Sequence, residues 1–282
     1  MKNKTSAKHW SKITKTIIGA VILLLALFPI YWLAAMSVRP MEELKGRISV
    51  IPQSLTSVHF LELFQEKAFG RALENSLEVA LVSLIISLGF GLCAAYVLTR
   101  RRFTFAAKRP MNFWILLVRI LPPIAFTIPL YTMFNRLGLL GTKVPAILAC
   151  VLINIPFIIW FMITFFRMVP TELEESARMD GASEWYLFRK VVLPLVAPGT
   201  AAVAMLSFLY AWNEYTYSVI FVQSAQNYTV PLALATLNSG DSLTNFGLVA
   251  AGGIVSALPV LLFVLFAQNY LIEGLSSGAV KA

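Results

Sequence analysis

Charged side chains are scarce in this sequence, and their scarcity indicates the class of protein. Asp, Glu, Lys and Arg make up 13% of the 282 residues, and 58% of residues are hydrophobic. A soluble domain usually carries about 25% charged residues. The hydrophobic residues form long uncharged runs, such as 16–38 and 144–166. A run of about 20 apolar residues can cross a bilayer as a helix, and these runs lack the alternating pattern of barrel strands. The sequence therefore predicts an all-α protein that crosses a membrane several times.

Residues that bind metals or form disulfides are also few. The two cysteines, Cys93 and Cys150, lie inside apolar runs, where they are expected to pack against neighbouring helices. His9 and His59 stand far apart in the sequence, so neither a metal centre nor a disulfide is predicted. The sequence also contains no G-x-x-x-x-G-K-[ST] phosphate loop. We therefore expect no cofactor and no ATP hydrolysis by this chain itself.

Six apolar runs are long enough to be membrane spans, with predicted bounds at 14–37, 74–98, 111–134, 144–166, 198–222 and 246–271. With both termini in the cytoplasm, about 15 Lys and Arg residues lie inside and about 7 outside, as the positive-inside rule requires. This placement accounts for the net charge of +9 without a nucleic-acid partner. The polar first outer loop is expected to form a small surface helix around 60–66.

The long connection 167–198 is predicted to be cytoplasmic and to contain two short helices. Thr171 and Glu174 have the spacing of a capping box, and Glu174 can pair with Arg178 four residues later. Gly181 stands where a residue in the left-handed conformation would end the first helix. On physical grounds alone, an ordinary amphipathic helix on the membrane surface is an equally good interpretation.

The same connection resembles a family signature. Permease subunits of ATP-binding-cassette importers carry the pattern Glu-Ala-Ala, three residues, Gly, nine residues, Ile, one residue, Leu-Pro. The spacing is intact here, and the matching residues are Glu175, Ser176, Ala177, Gly181, Val191, Leu193 and Pro194. Ser176 and Val191 depart from the pattern, and both substitutions are conservative in size.

Further segments resemble the carbohydrate branch of these importers, in particular the second membrane subunit of the maltose type. They are Arg119-Ile-Leu-Pro-Pro, Ala211-Trp-Asn-Glu, Val230-Pro-Leu and Gly274-Leu-Ser-Ser-Gly-Ala-Val-Lys. The resemblance implies a MetI-like permease fold with six transmembrane helices. It implies an N-terminal helix and first outer loop over 1–73, a five-helix permease core over 74–272 that contains the connection 167–198, and a cytoplasmic tail over 273–282.

The resemblance also implies the partners of this chain. A coupling helix over 172–180 would sit on a cytoplasmic ATPase, and the coupling residues would be Glu175, Ser176, Ala177, Asp180, Gly181, Leu193 and Pro194. The implied partners are two ATP-binding subunits, a second homologous permease subunit and an extracytoplasmic solute-binding protein. A sugar would be the solute, and the location would be the inner membrane of a bacterial or archaeal cell.

Polar residues inside the predicted spans are candidates for the solute pathway, because burying them in a bilayer is costly. The candidates are Arg119, Asn154, Tyr210, Trp212, Asn213 and Glu214. Arg119 could line a polar cavity or pair with Glu214, and the remaining candidates could instead pack between helices.

Two other features concern the shape of the spans. Pro122, Pro123 and Pro129 are expected to kink or break the third span. Ser87, Gly91 and Ala95 predict a close contact between the second span and another helix.

Three alternative functions remain open at this point. One is a permease for another solute that a binding protein delivers. Another is a self-contained secondary transporter or channel driven by an ion gradient, which would be expected to have titratable acids at mid-membrane or inverted repeats. Glu214 is the only plausible acid of that kind. A membrane scaffold is the third, but it would leave the polar residues in the spans unexplained.

Overall fold

The computed structural model describes residues 3–46, 48–237 and 245–279, and the regular elements in these ranges are helices. The α-helices are α1 (Asn3–Ser37), α2 (Met41–Lys45), α3 (Val58–Gln65), α4 (Phe69–Thr99), α5 (Lys108–Ile120), α6 (Thr127–Arg136), α7 (Val144–Met168), α8 (Thr171–Met179), α9 (Glu184–Tyr186), α10 (Leu193–Leu195), α11 (Ala197–Trp212), α12 (Thr216–Phe221), α13 (Val230–Thr236) and α14 (Phe246–Ala279). Short 3-10 helices cover Pro123–Phe126 and Ala225–Asn227, and a π-helix at Leu187–Val192 joins α9 to α10. The tail predicted over 273–282 is helical up to Ala279, and residues 280–282, with Lys281, lie outside the described residues.

Four described helices are long and apolar enough to cross a membrane: Thr14–Ser37 within α1, α4, α7, and Phe246–Leu265 within α14. Two bent pairs also pass this test: α5 with Pro123–Arg136, bent by 106°, and Glu184–Leu195 with α11, bent by 82°. If each pair is one span, the described part of the chain has the six spans that the sequence predicted.

The third span is broken as predicted, and the fifth span is shorter than predicted. The break lies within 111–134, where α5 ends at Ile120 and Leu121 is extended with φ −68° and ψ 131°. Pro122 and Pro123 explain the break, since proline lacks an N–H donor and disfavours a helical residue before it. Pro129 is tolerated inside α6, because it lies in the first turn where N–H groups have no helical partner. The fifth span ends at Trp212 rather than at 222, and α12 is a separate helix.

The chain forms two compact units, one made of Met1–Phe69 and Leu234–Ala257, and the other of Gly70–Ala233 and Leu258–Ala282. In the first unit, buried Arg39 organises the loop after α1. Its guanidinium donates hydrogen bonds to the carbonyls of Ser49 at 2.5 Å and Val50 at 3.2 Å, and its own carbonyl lies 2.8 Å from Nε2 of buried His59. The small helix expected around 60–66 is present as α3.

In the second unit, α4 and α7 pack closely along the stripe of small residues. A Cβ atom added to Gly91 would lie 2.6 Å from Cγ2 of Ile158 in α7, which is too close for a real contact. Ser87 and Ala95 are fully buried on the same stripe. The predicted close helix contact is therefore confirmed, and it fixes the end of α4 beside the end of α7.

Candidate functional site

Helix α8 begins differently from the sequence prediction. Pro170 is its N-cap residue and makes no side-chain hydrogen bond to the helix, so the capping box of Thr171 and Glu174 is not formed. The carboxylate of a capping Glu turns back toward the N-terminus of its helix. Glu174 instead lies in the interior of the protein and is only 1% exposed. Its carboxylate has stronger partners there than a backbone N–H.

The end of α8 matches the prediction. Gly181 has φ +84°, its N–H donates to the carbonyl of Arg178 at 2.9 Å, and the N–H of Ala182 donates to the carbonyl of Ala177 at 3.0 Å. This pair of bonds is a Schellman motif, and its left-handed residue favours glycine. Ser183 then caps the next helix, because its hydroxyl accepts a hydrogen bond from the N–H of Tyr186 at 3.3 Å.

The partners of Glu174 form what we call the Glu174 cluster: Glu174, Arg100, Tyr96 and Arg178. Oε1 of Glu174 lies 2.5 Å from a terminal nitrogen of Arg100. Oε2 accepts hydrogen bonds from the Tyr96 hydroxyl at 3.0 Å and from Arg178 at 3.2 Å. The predicted pairing of Glu174 with Arg178 is confirmed. Glu174 has two further partners, Tyr96 in α4 and Arg100 directly after it.

Arg100 connects this cluster to a second membrane helix. It is 5% exposed and donates a 2.8 Å hydrogen bond to the carbonyl of Phe166, near the end of α7. Sequence reasoning counted Arg100 only as one cytoplasmic charge among several. The run Arg100-Arg101-Arg102 gave no sign of which arginine would be buried, although Arg100 is the one that directly follows α4.

A more exposed set of charges surrounds the cluster. Arg178 donates to Glu184 at 2.9 Å, and Arg102 lies 3.2 Å from the same carboxylate oxygen. The hydrogen bond to Glu184 raises the pKa of Arg178, although partial burial acts in the opposite direction. A polar cleft of about 830 Å³ opens beside α8, lined in part by Arg101, Arg167 and Glu172.

The outward side of α8 presents the predicted coupling residues. Glu175, Ser176, Asp180 and Gly181 are exposed, and Ala177 is half-buried. Apolar side chains of α8 and α9 are also exposed: Leu173 at 46%, Met179 at 88%, Trp185 at 62% and Tyr186 at 55%. Such a group of exposed apolar residues is typical of a surface that binds another protein.

The last two predicted coupling residues, Leu193 and Pro194, lie at the other end of the connection. They belong to α10, directly after the π-helix, with Leu193 half-buried and Pro194 exposed. Pro194 does not end the helix itself, which continues to Leu195 before the 82° bend into α11. The two residues are therefore next to the bend and not part of α8.

Three of the six pathway candidates line one cavity of about 470 Å³. Its lining residues are Val118, Arg119, Leu121, Pro123, Ile153, Asn154, Phe157, Leu206 and Tyr210. Asn154 is buried and its amide nitrogen donates to the carbonyl of Ser207 at 3.3 Å. Arg119, Asn154 and Tyr210 thus bring a cation, an amide and a phenol to one apolar cavity.

The proposed pairing of Arg119 with Glu214 was wrong. The guanidinium of Arg119 lies over the ring of Trp160, 4.2 Å from its centroid, and 5.2 Å from that of Phe157. Glu214 accepts the N–H groups of Tyr217 at 2.6 Å and Ser218 at 3.0 Å, at the start of α12. The ion pairs found among the described residues do not join Arg119 to Glu214.

Trp212 and Asn213 also lie outside the cavity lining. Trp212 is buried and stacks on Phe208, with ring centroids 5.9 Å apart. Asn213 is exposed and donates back to the carbonyl of Leu209 at 2.8 Å, at the end of α11. For Trp212, Asn213 and Glu214 the structure therefore favours the packing and capping alternative.

Comparisons with known proteins agree with this architecture. The family described as "Binding-protein-dependent transport system inner membrane component" matches residues 87–275. The chain is 33% identical over 276 residues to the trehalose transport system permease protein SugB of Mycobacterium tuberculosis, and the match covers 98% of each chain. It is 31% identical to the diacetylchitobiose uptake system permease protein DasC of Streptomyces coelicolor, over 100% of both chains.

Among solved structures, a bacterial ABC transporter involved in the import of the acidic polysaccharide alginate contains a similar chain. The TM-score is 0.80 at 21% identity, and the match covers 94% of this chain and 98% of that one. The chain therefore belongs to the family of inner-membrane components of binding-protein-dependent transport systems. It is a multi-pass membrane transport subunit rather than an enzyme, and the expected MetI-like permease fold is confirmed.

Proposed function

We propose that this chain forms half of the translocation pathway of an ATP-binding-cassette importer for a sugar or an oligosaccharide. A second homologous permease subunit would complete the pathway, and a solute-binding protein would deliver the sugar from outside. Two ATP-binding subunits would bind on the cytoplasmic side, and both termini would be cytoplasmic. Family membership and the two sugar permeases among its relatives support this proposal.

The observation that carries the coupling part of the proposal is the surface of α8. Glu175 and Ser176 are exposed on a helix whose end is fixed by Gly181, and Leu173 and Met179 add exposed apolar area beside them. A helix that is capped, well positioned and partly apolar on its outer face is suited to insertion into a groove of another protein. We assign this groove to the cytoplasmic ATPase.

The cavity lined by Arg119, Asn154 and Tyr210 supports a sugar as the solute. Sugars combine hydroxyl groups with apolar ring faces, and small-molecule sites match such ligands with a largely apolar wall and a few polar groups. Within the described part of the chain, the Arg119 guanidinium donates no hydrogen bond to the protein. Its N–H groups are therefore available to hydroxyl oxygens in the cavity.

Purification of the tagged chain from its native membrane tests the assembly. We expect a second permease subunit and an ATPase to co-purify. Vesicles that contain this complex and its binding protein should take up labelled sugar only when ATP is present on the side of the membrane where the ATPase is bound. Trehalose, diacetylchitobiose and an alginate fragment form a suitable first panel. Uptake that follows an imposed ion gradient without ATP would contradict the proposal and favour a secondary transporter.

Cysteine labelling of intact cells tests the orientation. Cys93 and Cys150 are first replaced by Ala, and single cysteines are then introduced at the exposed positions Gly138, Ser183 and Gln226. A membrane-impermeant reagent should label the cysteines at 138 and 226 but not the one at 183. Labelling at 183 in sealed cells would contradict a cytoplasmic α8–α9 connection.

A further inference from the structure

We propose that the buried pair of Arg100 and Glu174 is the link through which a movement of α8 reaches the membrane helix α4, in step with α7, to which Val169 and Pro170 join α8 directly. Arg100 and Glu174 would thus be positioning residues for transport, separate from the surface that binds the ATPase. This inference rests on the proposed docking of α8 on an ATPase.

The first argument is that the one fully buried side chain of α8 is a carboxylate and not an apolar group. Glu174 is the one residue of α8 that is buried, while its apolar side chains Leu173 and Met179 are 46% and 88% exposed. In most surface helices the apolar face provides the attachment to the core. In α8 the carboxylate of Glu174 provides this attachment.

The second argument is that this carboxylate connects three helices at once. Glu174 in α8 contacts Arg100, which directly follows α4, and the Tyr96 hydroxyl within α4. Arg100 in turn donates to the carbonyl of Phe166 near the end of α7. A displacement of α8 that preserves these contacts must move the ends of both membrane helices with it.

The third argument concerns how firmly the contacts hold. Opening a buried ion pair leaves uncompensated charges in a poorly solvated site, which is strongly unfavourable. The side chains of Arg100 and Glu174 are 5% and 2% exposed, whereas Arg102, which pairs with Glu184, is 59% exposed. Solvent weakens the outer pair, so the inner pair is the one able to transmit a displacement.

The test uses the complete importer in vesicles, with ATP hydrolysis and sugar uptake measured on the same preparation. In the Glu174→Gln and Arg100→Gln variants, we expect the ATPase to co-purify and to hydrolyse ATP. Uptake per ATP hydrolysed should fall about tenfold or more, which is within the usual range of coupling between two sites. Arg102→Gln removes an arginine from the same segment and is the matched control, with an unchanged ratio.

A double variant, Arg100→Met with Glu174→Leu, separates transmission from simple stability. An apolar pair of similar volume leaves no buried charge and often restores stability, but it lacks the directional contacts to Tyr96 and Phe166. We expect its melting temperature to recover while uptake per ATP stays low. Recovery of both would overturn the proposal, because the pair would then serve only to stabilise the fold.

The remaining outcomes are also decisive. An unchanged uptake ratio in Glu174→Gln would overturn the proposal, and so would loss of the ATPase from that complex, since the pair would then support docking itself. Failure of the proposed function would look different, because the unmodified chain would then not co-purify with an ATPase at all.

Discussion

Arg100 and Arg119 lie in the same compact unit, yet their surroundings differ in kind. Arg100 is buried, faces the carboxylate of Glu174 and donates to a backbone carbonyl. Arg119 lies over the faces of two aromatic rings and lines a cavity. An ion pair balances the charge of an arginine within the protein, whereas stacking on rings provides no counter-ion and leaves the donors at the guanidinium edge available.

This difference indicates that the two arginines have different functions. The coupling region uses Arg100 to connect helices, and its charge is balanced within the chain by Glu174. The cavity uses Arg119 as a polar group that can still bind something else. Changes in the first region should therefore disturb coupling to the ATPase, and changes in the second should disturb solute transport alone.

The largest effect is expected from bulk on the docking surface. Ala177→Trp should abolish uptake and remove the ATPase from the purified complex, because α8 would no longer fit a close groove. Gly181→Val should have a similar effect, since a left-handed conformation costs a non-glycine residue roughly 1–2 kcal/mol. Co-purification and uptake are the measurements.

Gly181→Asn is the matched control for this prediction, because asparagine adopts the left-handed conformation more readily. Space is not the difficulty at this position, since an added Cβ would meet no atom within 4 Å. Normal assembly and transport in both Ala177→Trp and Gly181→Val would make α8 an ordinary surface helix.

A smaller effect is expected in the cavity. Arg119→Ala should leave the ATPase bound and its basal hydrolysis unchanged, but should lower sugar uptake about tenfold or more. The reason is that a hydrogen bond to a charged group contributes about 1.5–3 kcal/mol. Trp160→Phe keeps an aromatic face beneath the guanidinium and should be milder. Unchanged uptake in Arg119→Ala at limiting sugar concentration would remove this cavity from the pathway.

The positions of the helices could be predicted from the sequence because their signals are local. Long apolar runs identified α4 and α7 to within a few residues, and Gly181 identified the end of α8 from its conformational freedom alone. The break in the third span followed from Pro122 and Pro123. Such features depend on neighbours in the sequence, which are visible without a structure.

The partners of the charged residues were harder to predict, because they depend on packing between distant segments. Glu174 had an acceptable local partner in the helix N-terminus, and only the structure brings Tyr96 and Arg100 to it from α4 and its end. Glu214 was considered as one possible partner of Arg119, yet it accepts the N–H of Tyr217, three residues later, at the start of α12. The predicted span over 198–222 placed Glu214 inside one helix, which concealed the separate helix start at Thr216.

The same chemical change at two neighbouring positions of α8 provides a further comparison. Glu172→Gln alters an exposed residue in the first turn, and it should lower the unfolding free energy by only about 0.3–1 kcal/mol through the helix dipole. Glu174→Gln leaves buried Arg100 without its counter-ion, and breaking such a pair costs about 3–5 kcal/mol. Melting temperatures of the purified variants in detergent measure both. Equal shifts would mean that the Glu174 cluster is not a strong contact.

The smallest expected effect is the coupling energy between Arg119 and Glu214. Measuring it tests whether the guanidinium of Arg119 is free of an ion pair with Glu214. Because Glu214 is held by the N–H groups of α12 and Arg119 by two aromatic rings, the effects of Arg119→Ala and Glu214→Ala on stability should add to within about 0.5 kcal/mol. The same double-mutant cycle on Arg100 and Glu174 is the positive control. Their contact is direct, so the double variant should be clearly less destabilised than the sum of the two single changes.

Strong coupling in the first cycle would show that Arg119 reaches Glu214 in some state of the protein. Its N–H groups would then not be permanently available to a sugar, and the contrast between the two arginines would be lost.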